Sequence, residues 1–188
     1  MDSAKIERLV SELLVEIGED PEREGLRRTP QRIAAALAFL TSGYHADINT
    51  LINGAVFTQE ANNMIIARDI ELYSLCEHHM LPFFGRCHIG YIPGGKIVGV
   101  SKLARLVDMY ARRLQIQERL TEQVADYLAN KLQPLGAMVV IEARHLCVEM
   151  RGVKKPGALT ITSAIRGCFE DRKVRGEFLH FLGRTKEW

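Results

Sequence analysis

Two short segments carry side chains that could do chemistry together. Cys76-Glu77-His78-His79 sets a thiol and an imidazole three residues apart, so on a loop both can point at one metal ion. The same segment holds a second histidine and a carboxylate, groups that are costly to bury without partners. A polar loop with incidental histidines is the lesser reading of the segment on its own, kept because short motifs specify function loosely. His145-Leu146-Cys147 reads as strand, where residues two apart share a face, so His145 and Cys147 are expected to face one site with Leu146 in the core. Cys76, His79 and Cys147 then form a set of two sulfurs and one nitrogen, the donor chemistry zinc favours. Three protein ligands leave a fourth position for water, as in a catalytic zinc site; a closed structural zinc with Cys87 as fourth ligand fits the same residues. His78 and His145 are left beside the metal, where acid–base chemistry needs them.

Two further groups could hold an anion and a base. Ser101-Lys102-Leu103-Ala104-Arg105 opens a helix with Ser101 as its expected cap, and free backbone N–H groups beside Lys102 and Arg105 suit a phosphate. Arg151, four residues after Cys147, adds a charge. Taken alone these residues read as a solvated helix face. Gln117-Glu118 starts the next helix, and a carboxylate there can accept the paired N–H donors of a guanine edge, or simply be an acid in a first turn. Cys87 and Cys168 read as small buried apolar residues, and His45, His88 and His180 as surface or packing histidines.

The elements that must position these groups follow from periodicity. Ile6, Leu9, Val10, Leu13, Leu14 and Ile17 form one helical stripe, and Thr29-Pro30 reads as cap and first turn of a second helix through Ile33, Leu37 and Leu40. Residues 64–75 read as strand; 87–92 and 96–100 flank Pro93-Gly94-Gly95 as a hairpin. Two helices follow, on the stripes Leu103, Val107, Tyr110, Leu114 and Leu120, Val124, Leu128, Leu132. Residues 138–143 and 145–150 read as strand, 159–165 as another, and 172–182 as a terminal helix. The pattern predicts an α+β fold, an antiparallel sheet with a helix pair on one face and an N-terminal helical extension. Residues 1–50 are expected as that helical segment and 51–188 as the catalytic domain.

The 188 residues suffice for one core without disulfides. With 47% hydrophobic and 26% charged residues the composition is globular, which excludes a disordered or fibrous chain. No apolar run approaches the ~20 residues of a membrane span, and the first ten residues do not read as a signal peptide, so a cytoplasmic protein without a membrane partner is expected. A net charge of +2 is low for a nucleic-acid coat, so an anionic partner should be small and locally bound.

Five ordered segments, 75–79, 99–105, 115–121, 145–152 and 160–163, together resemble the GTP cyclohydrolase I family over nearly the whole chain. The resemblance implies the tunnelling fold, with subunits closing the sheet into a barrel and assembling as a decamer of two pentamers with active sites at interfaces. It implies zinc on Cys76, His79 and Cys147, and catalysis by His78 and His145, with Ser101 handling protons near the sugar. Ser101, Lys102, Arg105 and Arg151 match triphosphate contacts, and Glu118 the guanine anchor, with Gln117 beside it. The implied reaction opens the guanine imidazole ring of GTP at C8, releases formate and yields 7,8-dihydroneopterin triphosphate. Ala34 and Ala35 stand where some members place a lysine that reaches phosphate from a neighbouring subunit, so that contact is absent or taken over by Arg32 or Arg28. A non-catalytic, zinc-stabilised nucleotide binder is the competing reading, as is a relative acting on another pterin or purine.

Overall fold

The computed structural model describes residues 1–47, 50, 52 and 54–183. Residue 51, where the expected catalytic segment opens, and its last five residues lie outside them. The chain divides into two compact units, Met1–Ser42 and Gly43–Trp188.

The first unit is helical. α1 (Ser3–Glu16) is capped by Asp2, whose carboxylate accepts the Lys5 N–H at 3.0 Å. Val10 and Leu14 of the expected stripe are buried, while Leu9, Leu13 and Ile17 stay exposed. α2 (Thr29–Leu40) begins at Thr29 itself: Arg28 is the cap residue and no side chain caps the helix. Pro30 needs no partner for a missing N–H in a first turn, so the helix starts there without the expected threonine cap.

The second unit is built on a five-stranded sheet. Its strands are β2 (Ile65–Cys76), β3 (Pro82–Ile92), β5 (Leu114–Gln115), β6 (Gly136–His145) and β7 (Thr160–Gly167), in the order β5-β2-β3-β6-β7. All pairs are antiparallel except the two-residue β5 against β2. β1 (Val56–Thr58) and β4 (Lys96–Val98) form a separate two-stranded sheet. The expected hairpin at 93–95 is therefore corrected. β3 is paired along both edges, by β2 and β6, so β4 has no edge of β3 to join and pairs with β1.

α3 (Val100–Ala111) and α4 (Gln117–Leu132) pack on one face of this sheet. Leu103, Leu106, Val107, Leu120, Val124 and Leu128 meet Phe83, Cys87, Ile89, Val139 and Ile141 there in one core. The alternation of strand side chains sends Met138 and Val140 to the other face, where α6 (Arg172–Gly183) covers them with Phe178. The architecture is the expected α+β one, with the helix pair on one face and the terminal helix over part of the other. α3 is entered through Gly99, so Ser101 is its second residue, not its cap. No helix among the described residues is long and apolar enough to cross a membrane.

Candidate metal centre and nucleotide site

The Cys-Glu-His-His segment is the turn of the β2–β3 hairpin. Cys76 ends β2, its N–H donates to the Leu81 carbonyl at 2.9 Å, and Met80 closes the turn in the left-handed region at φ 53°. The Glu77 N–H donates to the Gln115 carbonyl at 2.9 Å, and Arg119 grips the Glu77 carboxylate with two bonds of 2.5 and 3.1 Å. That guanidinium, by its hydrogen bonds, holds the Glu77 carboxyl below its ordinary range. The turn is thus tied to the start of α4.

Cys147 reaches the same place by a route the strand reading missed. β6 ends at His145, paired with Phe83 of β3, and β3 has only Pro82 before that pair. With no neighbour left to pair with, residues 146–149 wind into a single helical turn, α5 (Leu146–Glu149), instead of continuing as strand. Arg144 braces this turn to β6 through bonds of 2.7 and 2.6 Å to Glu149. The metal-capable atoms of Cys76, His79 and Cys147 lie within 4.8 Å of one another. Burial, and then the neighbouring Cys76 sulfur, push the Cys147 thiol up, and Arg151 pulls it back. Two sulfurs and an imidazole this close match the donor set of a three-ligand zinc site, so the residues present fit that ion. Cys87 lies fully buried in the main core, where burial pushes its thiol up, and it is not in the group.

Of the two further histidines, His78 borders this group. His78 Nδ1 is 3.6 Å from Cys76 Sγ, against 3.9 Å for His79 Nδ1. His145 stacks on Phe83, with centroids 4.7 Å apart and planes 8° apart. Burial pushes its imidazole below the ordinary value, with Glu118 pulling the other way. His145 Nε2 lies 2.8 Å from Gln117 Oε1. Gln117 is 1% exposed, and its Nε2 donates to Ile141 O, Thr160 O and Thr162 Oγ1. The side chain expected beside the guanine anchor is committed to the protein interior.

Glu118 follows on the first turn of α4 and is exposed. Ser101 and Arg105 are exposed and Lys102 half-buried at the start of α3, with the Lys102 N–H already donating to Gly99 O at 2.8 Å. Arg151 is exposed just beyond α5, and Arg28 and Arg32 are exposed in the N-terminal unit. Phe83, Thr121 and Thr162 were not singled out by sequence reasoning; only the pairing of β3 with β6 and the packing of α4 on β7 reveal them. Glu77 and Arg119 each lie inside a recognised segment, but nothing in their spacing signals that they meet.

The sequence pattern of a family described as GTP cyclohydrolase I matches residues 6–183. A Leptospira biflexa protein named GTP cyclohydrolase 1 is 55% identical over 178 residues, covering 94% of this chain and 97% of its own. A Methylococcus capsulatus protein of the same name is 54% identical over 180 residues, covering 95% and 97%. A Nostoc protein named GTP cyclohydrolase 1 2 is 55% identical over 180 residues, covering 95% and 83%.

Proposed function

Because the chain belongs to the GTP cyclohydrolase I family, we propose that it hydrolyses GTP at C8 of the guanine imidazole ring, releases formate and rearranges the remainder to 7,8-dihydroneopterin triphosphate, the entry step of pterin synthesis. The observation that carries this reading is the meeting of Cys76, His79 and Cys147, with His78 beside Cys76 and His145, two residues before Cys147, held against Gln117. Cys76, His79 and Cys147 would hold a zinc ion, which would supply the Lewis acidity that activates water near neutral pH. His145 delivers a proton to N7, which makes C8 electrophilic. His78 assists opening of the ring and loss of formate, and Ser101 handles a proton at the sugar.

Glu118 accepts the N1–H and 2-amino donors of guanine side by side. Ser101, Lys102, Arg105 and Arg151 hold the triphosphate, with Arg32 of a neighbouring subunit in place of the lysine absent at positions 34 and 35. The family resemblance supports a decamer of two pentamers acting in the cytoplasm. The short edge strand β5 and the edge strand β7, with Ile161 exposed, suit a sheet that neighbouring subunits continue. The test is incubation of purified protein with GTP: one formate per GTP consumed and a pterin retaining three phosphates are expected. Nucleotide binding without formate release would leave the non-catalytic binder as the reading.

A further inference from the structure

We infer that Gln117 is a positioning residue that fixes which nitrogen of His145 meets the substrate; the inference rests on the reading of His145 as the proton donor above. The proton count around Gln117 has one solution. Its amide nitrogen faces two backbone carbonyls, Ile141 O and Thr160 O, both at 3.0 Å, and carbonyl oxygens only accept. Turning the amide over would set oxygen against oxygen at both places, so Oε1 is the atom that faces His145.

The neighbouring hydroxyls agree. Thr121 Oγ1 donates its single proton to the Gln117 carbonyl at 2.7 Å, so in the 2.7 Å contact between the threonines Thr162 is the donor. Thr162 Oγ1, 3.1 Å from Gln117 Nε2, is then a third acceptor that shares the amide's two N–H groups with the two carbonyls. Every donor in the network finds an acceptor only with the amide this way round.

An amide oxygen 2.8 Å from His145 Nε2 requires that nitrogen to carry a proton. The neutral ring is therefore the Nε2–H tautomer, and stacking on Phe83 holds its plane. Nε2–H stays on Gln117, which leaves Nδ1 as the nitrogen that faces the substrate.

Two measurements on zinc-loaded protein test this. In histidine-labelled wild type at about pH 8, where an ordinary imidazole is neutral, the His145 ring is assigned by its loss in His145→Asn. The expected spectrum has the proton on Nε2, exchanging slowly with water, and Nδ1 bare; in Gln117→Leu the slow exchange disappears. A proton on Nδ1, or an Nε2–H that exchanges freely in the wild type, overturns the inference whether or not GTP is turned over. In turnover, Gln117→Leu should lower kcat by at least about tenfold, part of the roughly 10²–10⁴-fold that a placed proton donor supplies. KM should stay within about twofold of wild type. A KM that rises with kcat unchanged would make Gln117 a substrate contact and overturn the role. Wild type with the expected spectrum but no formate from GTP would sink the GTP reading and leave the tautomer assignment standing; formate release with the proton on Nδ1 would do the reverse.

Discussion

Glu118 and Gln117 are neighbours with opposite fates: one carboxylate stands exposed on the first turn of α4, one amide is sealed beneath it. With Gln117 committed to the interior, base reading is proposed for Glu118 alone. Glu118→Gln replaces one of two acceptors with a donor, leaving a guanine N–H facing another N–H, at a cost of roughly 1–3 kcal/mol. GTP turnover should fall by about one to two orders of magnitude with zinc content unchanged, and ITP, which lacks the 2-amino group, should lose less; equal losses would return Glu118 to an ordinary helix-start acid. Lys102→Ala and Arg105→Ala each remove a charge-assisted phosphate contact worth about 1.5–3 kcal/mol when desolvated. They should weaken GTP binding in calorimetry and leave binding of guanosine, which has no phosphates, nearly untouched.

At the scale of the elements, the site depends on the register of β3 against β6, which sets Phe83 opposite His145. Gly85, two residues along, pairs with Ala143, and a Cβ there would overlap the Glu142 carbonyl oxygen across the pair. Gly85→Ala should cost about 1–3 kcal/mol or more, read as a thermal midpoint lower by about 2–4 °C per kcal/mol, with formate release falling alongside; a neutral Gly85→Ala would mean the strands have room to part. The helices and the strands β2, β6 and β7 were legible because their apolar residues recur with one period over ten or so positions, as in Leu120, Val124, Leu128 and Leu132, but α3 stops at Ala111 and Leu114 of its expected stripe lies in β5. The pairing of β4 and the turn of α5 were not. Both are decided by which strand edge is already occupied, a property of partners far away in sequence. The grouping of Cys76, His79 and Cys147, which could hold a metal ion, was legible from residue type and resemblance although the strand expected to present Cys147 is a helical turn. The proton directions around Gln117 needed the coordinates, since they rest on Ile141, Thr160 and Thr162 of two other strands.

The β2 irregularity gives a pH prediction of the same kind. His88 is buried, its Nδ1 accepts the Asp69 N–H at 3.1 Å, and Asp69 sits at φ 59° where the β2–β3 register shifts. Burial lowers the His88 pKa from 6.5; Asp69 and Glu142 pull it up, and Arg68 and Arg86 pull it down. The unfolded chain therefore binds the proton more readily, and this group's share of stability, full above about pH 6.5, is lost as pH falls through the lowered value. The urea midpoint should drop between pH 7 and pH 5 in wild type and drop less in His88→Gln; parallel curves would remove His88 from the account.

For the whole molecule, a net charge of +2 on 188 residues leaves little repulsion to oppose self-association. Sedimentation equilibrium should return ten times the mass of one chain, and a monomer that turns over GTP would contradict interface active sites. GTP opening is proposed to depend on a zinc ion held by Cys76, His79 and Cys147. Cys147→Ser tests it most directly, because a hydroxyl is a poor substitute for a thiolate on zinc and α5 carries no buried residue of the main core. Zinc per subunit and formate released from GTP are measured on wild type and variant, with circular dichroism to show the fold retained. The prediction is about one zinc and stoichiometric formate for wild type, and neither for the folded variant; a Cys147→Ser protein that keeps its zinc and still releases formate would contradict it.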